Sequence, residues 1–228
     1  YSNLGLNIIE GYGLTETAPV LSLNPLNKPK HGTVGVALPD IEINLVDTNE
    51  EGIGEIAVKG PNVMKGYFNN PEATQSVFRN GWFLTGDLGF IDSEKYITIT
   101  GRKKSLIVNR EGKNVYPEEV EHQICKSRFI SEALALGYRE ANEKVGEHVG
   151  LIVVPNEEAI DDYADREKKR LTEKEVVDLI RREVRKEAAG IAEYKRPRRI
   201  QIRWEEFNKT STGKVKRYLY ALNPEEET

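Results

Sequence analysis

Apolar and polar residues alternate with a period of two in several short stretches of the first hundred residues. Ile41, Ile43 and Leu45 alternate with polar positions, and Glu55-Ile56-Ala57-Val58-Lys59-Gly60 follows a turn at Asn49-Glu50-Glu51-Gly52. Ile97 and Ile99 alternate with Thr98 and Thr100. This period predicts half-buried strands. Leu6-Asn7-Ile8-Ile9 predicts a strand that delivers Glu10 to Thr17 into a loop, and Gly81 to Asp87 predicts one ending in an exposed carboxylate. One helix interrupts the series: Asn70 can cap it, Pro71 fits its first position, and Glu72 suits the positive end of its dipole. Short strands with turn punctuation predict a small, distorted β-barrel or sandwich.

The pattern changes across Tyr96 to Pro117. There an alternating strand meets Gly101-Arg102-Lys103-Lys104-Ser105, and a short apolar run, Leu106 to Val108, follows. That basic segment is too charged to be buried and reads as a hinge near 101–105. Helices and strands alternate beyond it. Pro117 opens a helix with Val120 and Ile124 on one face, and Ala133 to Gly137 and Val149 to Val154 read as strands. Residues 156–170 are acidic and predict a surface excursion with little structure beyond room for some helix. Thr172 and Glu175 form a capping box before a helix striped by Val176, Ile180 and Val184, and Ile200, Ile202 and Trp204 alternate as a last strand. The expected class is mixed α+β: a barrel-like part over residues 1–101, then a small, mobile α+β domain over 102–228.

Composition narrows the function classes. With 33 Lys and Arg against 37 Asp and Glu, the formal charge is −4, which points to neither nucleic acid nor an anionic membrane as the main partner. The single cysteine excludes an internal disulfide framework and suits a reducing, cytoplasmic compartment. Three scattered histidines offer no metal-ligand cluster.

Candidate chemistry sits at three places. In Gly11-Tyr12-Gly13, two glycines free an aromatic ring while the backbone can approach a ligand; Thr15 and Glu16 then offer a hydroxyl and a carboxylate for a phosphate oxygen and a hydrated Mg²⁺. A plain turn is the competing reading. Asp87, after Gly86, can accept both hydroxyls of a ribose, or it is a turn aspartate. Lys214 follows Gly213 in Asn208 to Arg217 without the spacing of a P-loop, and a loop carrying one point charge suits delivery to a developing negative charge. The cluster Tyr194 to Arg199 reads first as a solvated turn, with contact to phosphates as the lesser alternative.

Six segments in order, GYGLTET (11–17), GEIAVKGPNVMKGYFNNPEAT (54–74), GWFLTGDLG (81–89), TGRKKSLIV (100–108), NVYPEEVE (114–121) and TSTGKVKR (210–217), resemble the adenylate-forming enzymes, and among them the long-chain fatty acyl-CoA synthetases. The resemblance implies a two-step ligase. A carboxylate attacks the α-phosphate of ATP to give acyl-adenylate and pyrophosphate, and the CoA thiol then displaces AMP. It implies Mg²⁺ as cofactor, and a fatty acid, ATP and CoA as substrates. Residue by residue, Tyr12 and Gly13 lie near the adenine, Thr15 touches the α-phosphate and Glu16 holds Mg²⁺. Asp87 binds the ribose with Arg102 beside it, and Lys104 is the hinge. Gly112 approaches the pantetheine arm, and Lys214 bridges carboxylate and phosphate.

The family's Gly-, Ser- and Thr-rich phosphate loop and the large N-terminal portion that forms most of the acyl pocket have no counterpart in these residues. The chain is therefore expected to be a fragment, inactive alone, whose partner is the missing N-terminal portion of the same enzyme. A long-chain substrate leaves room for peripheral membrane contact. Two alternatives stand beside the synthetase: an adenylation module that loads a carrier protein, and a non-catalytic AMP- or CoA-binding fragment.

Overall fold

The computed structural model describes residues 8–140, 145–211 and 213–222, and the chain divides into two compact units, Tyr1–Lys104 and Ser105–Thr228. In the first unit β1 (Gly11–Gly13), β2 (Val20–Leu23) and β3 (Val36–Ala37) form a three-stranded antiparallel sheet. A second sheet follows, made of β4 (Glu42–Val46), β5 (Gly54–Lys59), β6 (Phe78–Arg79), β7 (Trp82–Ile91) and β8 (Ile97–Arg102). Helix α1 (Pro71–Val77) precedes β6, and its first turn is closed by Asn70, whose Oδ1 accepts from the Ala73 amide at 3.0 Å.

The spine of this sheet is β7. Strand β5 lies along one edge, while β6 and β8 share the other, β6 pairing with its start and β8 with its second half. Leu21, Ile56, Val58, Phe83 and Ile97 form the buried core. The mixed α+β class holds, but among the described residues no sheet closes into a barrel. The expected strand at Leu6–Ile9 lies partly outside the described residues; Ile8 and Ile9 are not in a strand, and Gly11–Gly13, expected in a loop, form β1.

The second unit opens with a hairpin, β9 (Ile107–Val108) and β10 (Asn114–Val115), then α2 (Pro117–Ile124), β11 (Ile130–Tyr138) and β12 (His148–Pro155). Helices α3 (Glu157–Arg166) and α4 (Glu173–Ala188) lead to β13 (Arg199–Ile202), which pairs parallel to β12. The excursion at 156–170 carries more helix than its composition suggests, since α3 spans most of it: Asn156 Oδ1 accepts from the Ala159 amide at 3.2 Å, and Ile160 is buried. The spacing of Ile160 and Tyr163 was masked by an acidic surface face. Trp204 lies past the end of β13 and is exposed. Thr172 and Glu175 form the expected capping box, with 3.3 Å from the Glu175 amide to Thr172 Oγ1 and 2.9 Å from the Thr172 amide to Glu175 Oε2.

All eight residues of β12 are buried, as expected of a central strand covered on both faces. On one face Leu151 and Val153 pack with Val120, Ile124, Ile180 and Val184 of the helices. On the other, Ile152 and Val154 pack with Leu134 and Phe207, against which Tyr220 and Leu222 also lie. The tail after β13 is therefore part of the core. Among the described residues no helix is long and apolar enough to cross a membrane.

Leu151→Ala should lower the unfolding free energy by about 2–5 kcal/mol, because a fully buried side chain leaves a cavity that the helices cannot fill. Urea unfolding measures it, and a loss below about 1 kcal/mol would contradict the two-sided burial of β12.

Candidate functional site

A bulge in β7 builds the most organised cluster of charged groups in the first unit. Glu55 pairs with Leu88 and Ala57 with Leu84, so Ile56 of β5 stands opposite Thr85, Gly86 and Asp87 together. Extra residues on one strand re-aim side chains. Gly86 takes φ +73°, a left-handed backbone that favours glycine, directly before Asp87. Thr85 Oγ1 donates to the Ile56 carbonyl at 2.8 Å and accepts from the Asp87 amide at 3.1 Å, which ties the bulge down.

Asp87 is 5% exposed, in mid-strand rather than at the exposed strand end that the sequence pattern predicts. Burial of a carboxylate requires partners. Its Oδ1 meets Arg102 Nε at 2.7 Å, and its Oδ2 accepts from the Tyr12 hydroxyl at 2.5 Å. Arg102 faces Asp87 in the β7–β8 register and also donates through Nη1 to the Thr85 carbonyl at 3.2 Å. Burial, then the adjacent Asp87 carboxylate, push the Tyr12 phenol far above its usual pKa. Tyr12 therefore stays protonated near neutral pH and can donate a hydrogen bond but cannot serve as a base.

Gly13 is required on steric grounds: a Cβ there would fall 1.8 Å from the Pro19 carbonyl oxygen. Thr15 and Glu16 lie in a short 3-10 turn immediately after β1, with Thr15 exposed. Glu16 is half-buried, and its Oε1 accepts from the Tyr67 hydroxyl at 3.0 Å. Tyr12, Asp87 and Arg102 are thus in direct contact, and Thr15 and Glu16 follow in the adjoining turn. Lys104 is exposed at the last position of the first unit.

In the second unit Lys214 is exposed at a tight turn. The Thr210 amide donates to the Lys214 carbonyl at 2.8 Å, the Gly213 amide to the Thr210 carbonyl at 2.9 Å, and Gly213 takes φ +79°. Both feet of this turn are pinned. Lys209 pairs with Glu132 of β11 at 2.5 Å. Arg217 donates to both oxygens of Glu121 at 2.7 Å and to the Ala135 carbonyl at 3.1 Å. Lys214 itself makes no side-chain ion pair among the described residues.

Gly112 sits in the five-residue β9–β10 loop at φ +75°, with open space where a Cβ would be. Asn109 Oδ1 organises that loop by accepting from the Glu111 and Lys113 amides at 3.0 and 2.8 Å. Beside it is a cavity of about 540 Å³ lined by Arg110, Lys113, Tyr194, Arg196 and Arg198, with Glu147 among the carboxylates. The basic run 194–199, which reads as a solvated turn in sequence, is therefore brought to the Gly112 loop. The link is the parallel pairing of β13 with β12, where the Arg198 amide donates to the Val149 carbonyl at 2.8 Å. No local signal in the sequence reports that pairing.

The family model of the AMP-binding enzyme matches residues 1–68, and that of the AMP-binding enzyme C-terminal domain matches residues 119–214. A long-chain-fatty-acid–CoA ligase of Escherichia coli O6:H1 is 35% identical over 219 residues, covering 93% of this chain and 35% of that protein. The chain belongs to the adenylate-forming, AMP-binding enzymes. Another relative in that family, the long-chain-fatty-acid–CoA ligase of Haemophilus influenzae, is 37% identical over the same shares. The chain thus spans 35% of the length of these two relatives. ATP-bound MatB from Rhodopseudomonas palustris is similar with a TM-score of 0.72 and 33% identity, covering 94% of this chain and 40% of that one. O-succinylbenzoate coenzyme A synthetase from Bacillus subtilis, in complex with ATP and magnesium, is similar with a TM-score of 0.73 and 28% identity, covering 95% and 42%.

Burial holds the Glu121 carboxyl above its usual pKa, partly offset by Arg217. A carboxyl raised in the folded state contributes most stability below the unfolded pKa and loses it as pH rises through the folded value. Arg217→Ala removes the offset. Its destabilisation should grow from small near about pH 4 to about 3–5 kcal/mol near neutrality, measured by denaturant unfolding across pH. A penalty independent of pH would show that the pair does not hold the turn through charge.

Proposed function

We propose that this chain carries the nucleotide-recognition strands and the lysine-bearing unit of an acyl-CoA ligase acting on long-chain fatty acids. The observation that carries the reading is the buried Asp87, with one oxygen on Arg102 and the other on Tyr12, beside the Thr15–Glu16 turn. A buried carboxylate aimed by a bulge suits two vicinal hydroxyls. Tyr12 and Gly13 border the adenine, and Thr15 meets the α-phosphate. The Glu16 carboxylate fits Mg²⁺, since one oxygen is engaged by Tyr67 and a single protein carboxylate suits an ion that keeps water and phosphate ligands. That ion would supply charge neutralisation on the phosphates.

In the first half-reaction the fatty acid carboxylate attacks the α-phosphorus, the bond to the β-phosphate oxygen breaks, and pyrophosphate leaves. Two anions must approach, so the barrier is electrostatic. Lys214 supplies the cation, and Lys104 is the pivot that brings it there. In the second half-reaction the CoA sulfur, having lost its proton, attacks the acyl carbonyl and AMP leaves. The Gly112 loop admits the pantetheine arm, and Arg110, Lys113, Arg196 and Arg198 of the neighbouring cavity, which Glu111, Glu147 and Glu193 also line, suit the phosphates of CoA. The long-chain assignment is supported by the names of the Escherichia coli and Haemophilus influenzae relatives.

The test is ATP–pyrophosphate exchange in the full-length protein with acids from acetate to palmitate. Exchange should favour palmitate. Lys214→Ala should reduce it by about 10²-fold or more while leaving thioester formation from preformed palmitoyl-adenylate within about threefold. Equal loss in both half-reactions would remove Lys214 from the adenylation role.

A further inference from the structure

Glu55 is a buried carboxylate with no part in the reaction described above. It is 5% exposed on β5, next to the bulge. Its two oxygens face different ways along the site. Oε1 accepts from the Gly86 amide at 3.1 Å, and Oε2 accepts from Lys103 Nζ at 2.7 Å. The Gly86 amide belongs to the left-handed residue whose conformation sets the direction of Asp87. Lys103 lies between Arg102, the partner of Asp87, and Lys104 at the end of the unit. One side chain therefore grips both strands that hold the nucleotide carboxylate.

The amide of a bulge residue is released from the strand ladder and needs another acceptor. Glu55 supplies it, and Lys103 offsets the charge this places inside the sheet. We propose that Glu55 is a positioning residue for ribose recognition: it locks the Gly86 turn to Lys103, the residue that follows Arg102 at the end of β8, so that Asp87 is presented in one orientation. The inference rests on the reading of Asp87 as the ribose ligand.

The test compares dissociation constants of AMP and 2′,3′-dideoxy-AMP by titration calorimetry in the full-length protein. The wild type should bind the dideoxy nucleotide about tenfold or more weakly, since the buried carboxylate loses two hydroxyl donors. Glu55→Ala should bring that ratio below about threefold, and Glu55→Gln, which keeps an acceptor for the Gly86 amide, should retain most of it. A role confined to stability would weaken both nucleotides alike and preserve the ratio, and that result in Glu55→Ala overturns the proposal. Should Glu55→Ala fail to fold, Glu55→Asp decides, because its shorter carboxylate cannot span Gly86 and Lys103. A ratio that falls in Glu55→Asp but not in Glu55→Gln supports the proposal, and a ratio unchanged in Glu55→Asp overturns it. A wild-type ratio near one would remove the ribose assignment of Asp87 itself, whatever the variants do.

Discussion

Asp87 is buried as an anion, and the cost of that burial orders the first unit around it. A carboxylate withdrawn from water needs charge and hydrogen bonds in fixed places. Arg102 can meet it only if β8 lies along the second half of β7 in the observed register. Tyr12 can reach it only if β1 ends where it does, and that end depends on the glycine at position 13, where any side chain would strike Pro19. The bulge that aims Asp87 is in turn held by Thr85 and Glu55. Sheet register, a glycine requirement and two buried acids are consequences of one requirement.

The second unit solves a different problem. A three-stranded sheet with a fully buried central strand has two faces to cover, and α2 and α4 cover one. The chain after β13 must return to cover the other, and Phe207, Tyr220 and Leu222 do so. The turn bearing Lys214 lies between Phe207 and Tyr220, so its position follows from packing. Lys209 and Arg217 then fix its feet to β11 and α2 through Glu132 and Glu121.

Strands β4, β5, β7, β8, β11 and β12, the α1 and α4 caps and the order of motifs are legible in sequence because each is local: a period of two or a short apolar run, an Asn before a Pro, a Thr three residues before a Glu. What was not legible depends on pairing between distant segments. Asp87 reads as an exposed turn aspartate because nothing nearby shows that Tyr12 and Arg102 will surround it. The run 194–199 reads as solvated because its neighbours at 109–113 arrive only through the β12–β13 pairing. Helix α3 is only partly legible for the opposite reason, since its charged outer face outweighs the few apolar positions that dock it. The barrel was overread: short strands with turns specify sheets, but closure depends on edges that β6 and β8 leave open.

The two groups proposed to act on the nucleotide differ in a way that matches their tasks. Asp87 has its partners within its own unit, so its geometry is set before any ligand arrives. That suits recognition, which gains from preorganisation. Lys214 is held at the backbone, yet its ammonium has no ion-pair partner among the described residues. A cation already paired would gain little from meeting a further anion, because breaking the first pair offsets forming the second. An exposed, unpaired cation on pinned feet keeps its interaction energy for the moment when negative charge accumulates between acid and phosphate. Binding energy expressed there, and not in the ground state, lowers the barrier.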